Sequence, residues 1–116
     1  MAQYTNFKLD SSFAYAGEQV SISTSQDYKN IYASFNSSRN SDVNVKFELM
    51  EFVNYSWRIK ETKNGGRASS GSSRSVTFYN YSTAGARRFK VRVYLYDGGT
   101  GYTNLMQTAY SYEFTR

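Results

Sequence analysis

The sequence predicts an all-β fold, a two-sheet antiparallel β-sandwich of about eight strands, immunoglobulin-like or jelly-roll-like in outline. Three observations carry that expectation. Apolar and polar residues alternate with a period of two along the ordered stretches, and no segment sustains a helical stripe. Clusters of Gly, Asn, Asp and Ser recur between those stretches as turn chemistry. Aromatic residues make up 18% of the 116 residues, as 12 Tyr, 8 Phe and 1 Trp, and Tyr and Phe favour strands.

Taken in order, short strands are expected at Tyr4–Leu9, Gln19–Thr24 and Asn30–Phe35. Val43–Met50 then alternates fully, with Val43, Val45, Phe47 and Leu49 on one face and Asn44, Lys46, Glu48 and Met50 on the other. Tyr55–Lys60 repeats the pattern, which assigns Tyr55, Trp57 and Ile59 to a core face and Ser56, Arg58 and Lys60 to a polar one. Ser75–Tyr79 follows. Arg88–Tyr96 is the longest case, with Phe89, Val91, Val93 and Leu95 inward and Arg88, Lys90, Arg92, Tyr94 and Tyr96 outward. Gln107–Phe114 completes the set. The expected turns are Ala16-Gly17-Glu18, Asn36 to Ser41, Asn64-Gly65-Gly66, Thr83-Ala84-Gly85 and Asp97-Gly98-Gly99. Lys63–Ser75 is rich in Gly and Ser and reads as a mobile basic loop inside one domain spanning residues 1–116. A chain of this length buries roughly 65% of its unfolded surface, so a core forms without metal or disulfide support.

Composition narrows the chemistry. The chain has no Cys and no His, so disulfides, thiolate nucleophiles, a Ser–His–Asp site and ordinary zinc ligation are excluded. Glu48 and Glu51 are the one carboxylate pair to weigh for glycosidase chemistry, and nothing around them suggests a cleft. Asp97, Thr100 and Asn104 lack the acidic spacing of a calcium loop. The chain is therefore expected not to be an enzyme and to need no metal or small-molecule cofactor. No apolar run reaches the ~18 residues of a membrane helix, so no transmembrane segment is expected. The first residues, Met1-Ala2-Gln3-Tyr4, do not read as a signal peptide. Three Asn-X-Ser sequons, at Asn36, Asn54 and Asn80, acquire meaning only in a secreted eukaryotic protein.

Three pieces of the chain resemble bacterial extracellular β-sandwich modules of the immunoglobulin-like and pre-peptidase C-terminal types. Ala16-Gly17-Glu18-Gln19-Val20-Ser21-Ile22 is similar to their turn into an early strand. Ser75-Val76-Thr77-Phe78 precedes the turn Thr83-Ala84-Gly85, and that turn leads into Phe89-Lys90-Val91-Arg92-Val93-Tyr94. The insertion Ala86-Arg87-Arg88 and the Tyr55–Lys60 strand depart from the pattern. The resemblance implies an extracellular or cell-surface, non-catalytic role and carries over no site residues. A cytoplasmic location stays open.

The net charge is +5, from 14 Lys+Arg against 9 Asp+Glu, which favours a polyanionic partner. Arg58, Lys60, Arg88, Lys90, Arg92 and Tyr94 are the expected binding residues, brought together if their strands are neighbours in one sheet. Arg forks onto phosphate or carboxylate oxygens, and Tyr offers a stacking face. Lys63, Arg67 and Arg74 are the expected loop contacts. The functional expectation is a secreted or surface-exposed binding module for an anionic or carbohydrate polymer of a cell envelope. The alternatives are a small antimicrobial or toxin-like protein, and a structural or assembly subunit of a phage or surface layer with Tyr79, Tyr81 and Tyr110 buried between copies. The sequence leaves the oligomeric state open.

Overall fold

The structure, a computed structural model, describes residues 3–8, 19–36, 43–68, 72–81, 87–97 and 101–115. Among the described residues nine strands run in order: β1 (Gln3–Lys8), β2 (Gln19–Gln26), β3 (Ile31–Asn36), β4 (Val43–Val53), β5 (Ser56–Ala68), β6 (Ser73–Phe78), β7 (Arg88–Asp97), β8 (Leu105–Tyr110) and β9 (Phe114–Thr115). They form two antiparallel sheets, β1-β2-β3-β6 and β5-β4-β7-β8, with β9 paired to β7. The all-β sandwich expected from alternation is the fold observed. The turns expected at 16–18, 37–41, 83–85 and 98–99 lie outside the described residues.

The core sits where the inward faces of the two sheets meet. Val20, Ile22, Ile31, Ala33, Phe35 and Phe78 come from the smaller sheet; Val43, Val45, Phe47, Leu49, Phe89, Val91, Val93 and Leu95 come from the larger. These positions step by two along each strand, because successive side chains of a strand point to opposite faces. Fully burying one such aliphatic or aromatic side chain contributes about 1.5–3 kcal/mol. The β4–β7 register is unbroken from Val43↔Asp97 to Glu51↔Phe89. It holds the two inward rows opposite one another.

Strand β5 corrects two expectations. The first concerns the Lys63–Ser75 loop. Residues 63–68 belong to β5 and Ser73 and Arg74 to β6, so Gly65 and Gly66 interrupt a strand rather than end it; residues 69–71 lie outside the described residues. Lys46 pairs with Asn64 and Val45 with Gly66, which leaves Gly65 as the extra residue of a β-bulge. Gly66 has φ 93°, a conformation that costs glycine little. A Cβ on Gly65 would stand 2.5 Å from the Phe47 ring. Pairing with β4 satisfies backbone groups that an open loop would leave to water, and that gain overrides the flexible composition.

The second correction concerns Trp57. Asn54 and Tyr55 have φ 52° and 65°, the signature of a two-residue hairpin turn that sets the register of its flanking strands. Val53 pairs with Ser56, Phe52 with Trp57 and Met50 with Ile59. Phe52 and Met50 lie on the side of β4 opposite to Leu49, so Trp57 and Ile59 lie on the outer face and not in the core. Tyr55 is 95% exposed at the turn and Ile59 is 55% exposed. The alternation in this segment is real, but the turn decides which face it presents.

The expected strand Gln107–Phe114 is two strands with a break. The Ser111 backbone N–H donates to Val91 O at 2.8 Å, and the Ser111 hydroxyl accepts from the Val91 N–H at 2.9 Å. That side chain fills a ladder position while the chain bends from β8 into β9. The flanks between the sheets are tied by side chains. Lys63 Nζ donates to Thr77 O at 2.5 Å, Arg74 Nε to Arg67 O at 2.6 Å, and Gln107 Nε2 to Lys8 O at 3.1 Å.

Gly65→Ala is expected to destabilise the fold by about 1–3 kcal/mol, the usual cost of forcing a methyl group into a packed core. Urea unfolding of Gly65→Ala, Phe47→Leu and the double variant checks the mechanism. Relief of the clash makes the double variant lose less than the sum of the singles.

Candidate functional site

The outer face of the larger sheet carries the candidate site. By parity with the β4–β7 register it presents Arg88, Lys90, Arg92, Tyr94 and Tyr96 from β7 and Asn44, Lys46, Glu48, Met50 and Phe52 from β4. Strand β5 adds Trp57 and Ile59, and β8 adds Thr108 and Tyr110. This wet face is unusually covered. Met50 and Tyr96 point outward yet are only 7% and 8% exposed, because long side chains lie across them.

The cations lie against aromatic rings. Lys90 Nζ is 4.3 Å from the centroid of Trp57 and 4.7 Å from that of Tyr110. The Arg88 guanidinium carbon is 4.5 Å from the Phe52 centroid and 5.8 Å from that of Trp57. Phe52 and Trp57 themselves pack at 5.3 Å, tilted by 59°. At the other end of the face, Lys46 Nζ lies 5.5 Å from the Tyr96 centroid and 5.6 Å from that of Tyr102. Each such contact contributes about 0.5–1 kcal/mol at exposed sites. Tyr102 is held over the face by edge packing on Tyr96 and by the Gly66 N–H, which donates to its hydroxyl at 3.0 Å. Asn44 Nδ2 donates to Gly101 O at 2.9 Å and pins the same turn.

The centre of the face is neutralised. Glu48 is 6% exposed. It accepts from Arg92 Nε at 2.6 Å, from Arg92 Nη2 and from the Tyr94 hydroxyl at 3.1 Å. Burial, and then the bond to Glu48, raise the Tyr94 phenol above its ordinary pKa, so it acts as a neutral donor. Arg92 Nη1 also reaches the Tyr110 hydroxyl at 3.5 Å. Arg88 pairs with Glu113 at 2.9 Å, both partners being about half exposed.

The structure brings together four of the six expected binding residues: Arg88, Lys90, Arg92 and Tyr94. It separates the other two. Strand β4 lies between β5 and β7, and Arg58 pairs with Glu51 on the core side of β4. Lys60 is the extra residue of a second bulge, since Leu49 pairs with Glu61 and Met50 with Ile59; its ammonium lies 3.8 Å from Glu51. The three expected loop contacts do not form a loop cluster. Lys63 is engaged with Thr77, Phe78 and Tyr79, and Arg74 with Arg67. Tyr81 is not an exposed ring: it packs edge-on against Phe89 at 5.9 Å and donates to Glu61 at 2.7 Å. Sequence reasoning missed Trp57, Phe52, Lys46 and Tyr102 as parts of the face. The signal for Trp57 was the turn at Asn54-Tyr55; for Lys46 it was the outward parity of β4.

Glu48 and Glu51 face opposite sides of β4, since they are an odd number of residues apart along an unbroken register. They do not face a common cleft. Glu51 instead closes one end of the core. It is 7% exposed and accepts from Arg87 Nε at 2.8 Å and Nη2 at 3.1 Å. The Arg87 guanidinium holds its carboxyl below the ordinary carboxylate pKa against the opposing effect of burial.

The chain matches no protein-family model, and no characterised protein and no solved structure matches it.

A carboxylate whose pKa is lowered by folding contributes stability that is present above its unfolded value, near 4.5, and lost as pH falls through the lower folded value. Unfolding free energy is therefore expected to decline as pH drops below about 5. Glu51→Gln is expected to flatten that decline, as read from urea midpoints between pH 3 and pH 7. Glu48→Gln serves as the comparison for the outer-face carboxylate.

Proposed function

We propose that this protein is a non-catalytic, secreted or surface-exposed binding module whose ligand is an anionic carbohydrate polymer of a cell envelope. The contact surface is the outer face of the β5-β4-β7-β8 sheet. The observation that carries this reading is the interleaving of cations and aromatic rings on one sheet face: Arg88, Lys90 and Arg92 among Phe52, Trp57, Tyr94 and Tyr110. Aromatic faces take the apolar side of a sugar ring, and a cation held against them takes its carboxylate, sulfate or phosphate substituents. The flat outer side of a sheet suits an extended chain rather than a small molecule, which favours concave pockets. The net charge of +5 adds long-range attraction for polyanions. The strand order also supports the immunoglobulin-like resemblance. Strands β2-β3-β6 and β4-β7-β8 follow the A-B-E and C-F-G arrangement of that architecture, with β5 flanking β4.

Trp57 is the sole tryptophan and lies inside the proposed surface, so its fluorescence reports on occupancy directly. Titration with heparin or teichoic acid at low salt is expected to change Trp57 emission saturably. The Arg88/Lys90/Arg92→Ser variant is expected to lose most of the affinity, and Arg58→Ser, on the opposite side of the sheet, to keep it. A surface that responds to neither polymer, or a triple variant that binds as the parent does, overturns the reading.

A further inference from the structure

The cations on this face are not equivalent. Arg92 is taken by buried Glu48, and Arg88 by Glu113. Lys46 and Lys90 differ: among the described residues their contacts are to rings, Tyr96 and Tyr102 for the first, Trp57 and Tyr110 for the second. Each ammonium is therefore fixed laterally by two aromatic faces while its three N–H donors remain available to a ligand. Lys46 pairs across the ladder with Tyr94, and Lys90 with Met50. The two lysines thus sit four residues apart along the strands and one strand apart across them, which places their Cα atoms about 14 Å from each other. Between them lies the Glu48–Arg92–Tyr94 network, whose charges cancel.

From this arrangement we infer that the face holds two separate anion subsites, each a lysine set between two aromatic rings, and that it takes a polymer whose anionic groups reach both at once. The inference rests on the proposed binding role of the face and specifies the ligand: an oligomer long enough to bridge about 14 Å, with acidic substituents repeated along it. Bridging makes the second contact intramolecular, so affinity rises steeply once a fragment spans both lysines and changes little before that. The same geometry makes Lys46, together with Tyr102, a determinant of length preference.

The test uses heparin fragments of increasing length with Trp57 emission as the readout, on the parent chain, Lys46→Gln, Lys90→Gln and the double variant. Thermal unfolding establishes that each variant is folded. In the parent, affinity is expected to step up by at least tenfold at one fragment length. Lys46→Gln is expected to abolish that step. Lys90→Gln is expected to weaken fragments of every length by about five- to tenfold. Each single substitution lowers the salt dependence of long-fragment binding by about one counterion. A smooth dependence on length, or Lys46→Gln binding long fragments as the parent does while Lys90→Gln does not, overturns the two-subsite inference and leaves the binding role standing. Failure of every fragment to bind at low salt overturns both.

Discussion

The register between β4 and β7 governs what the centre of the larger sheet presents to solvent. Nine consecutive pairs, from Val43↔Asp97 to Glu51↔Phe89, run without a shift. Because side chains alternate, a slip of one residue would exchange the two faces and expose Phe47, Leu49, Val91 and Val93. The apolar rows on the inner side forbid that slip energetically. The outer row of Lys90, Arg92, Tyr94, Lys46 and Glu48 is therefore placed by the core, although none of these residues is in it. The burial of the inner face and the geometry of the outer one are a single constraint seen from two sides.

Strand β5 does not share that rigidity. It is an edge strand, with bulges at Lys60 and Gly65 that shift its pairing with β4 twice. Bulges are common at sheet edges, where they bend a strand and interrupt its ladder. Here the lower bulge lets Trp57 and Ile59 join the outer face while Glu61 and Lys63 turn towards the seam with β6. The upper bulge takes a glycine because Phe47 occupies the space a Cβ would need. An edge strand with Trp57 and Ile59 on its outer side is an aggregation hazard. Arg88 and Lys90, lying over Trp57, reduce it by placing charge above the apolar surface.

How much of this could be read from the sequence depends on which force decides each element. Where core burial decides, the reading succeeds. Val43–Met50 and Arg88–Tyr96 alternate over a full apolar row, and both their strand character and the face of each residue follow. Where local turn geometry or edge effects decide, it fails. Trp57 and Ile59 look like core residues because alternation shows that they share a face but cannot say which face it is. The hairpin at Asn54-Tyr55 supplies that information, and Asn in the left-handed region is its one legible trace. The Gly65-Gly66 pair reads as a loop because glycine signals flexibility and bulges alike. For the site, the outward parity of Arg88, Lys90, Arg92 and Tyr94 was legible. Their association with Phe52, Trp57 and Tyr110 required strand order, which no local pattern encodes.

Strand order also changes the meaning of the basic composition. A count of Lys and Arg treats each as an available positive charge. On the outer face the carboxylates are matched to arginines, as Glu48 to Arg92 and Glu113 to Arg88. The planar guanidinium suits this role, since it satisfies a carboxylate through several fixed donors. The lysines are matched to rings instead. An aromatic face attracts an ammonium without supplying a hydrogen-bond acceptor, so it positions the charge and leaves its donors open. Near a protein surface a unit charge brought within 4 Å of an anion gains about 4 kcal/mol before desolvation is counted, and salt reduces that gain. A charge already paired with a buried carboxylate brings little of this to a ligand. The availability of each cation on this face thus follows from which partner it already has, and that partner is set by cross-strand position rather than by residue type.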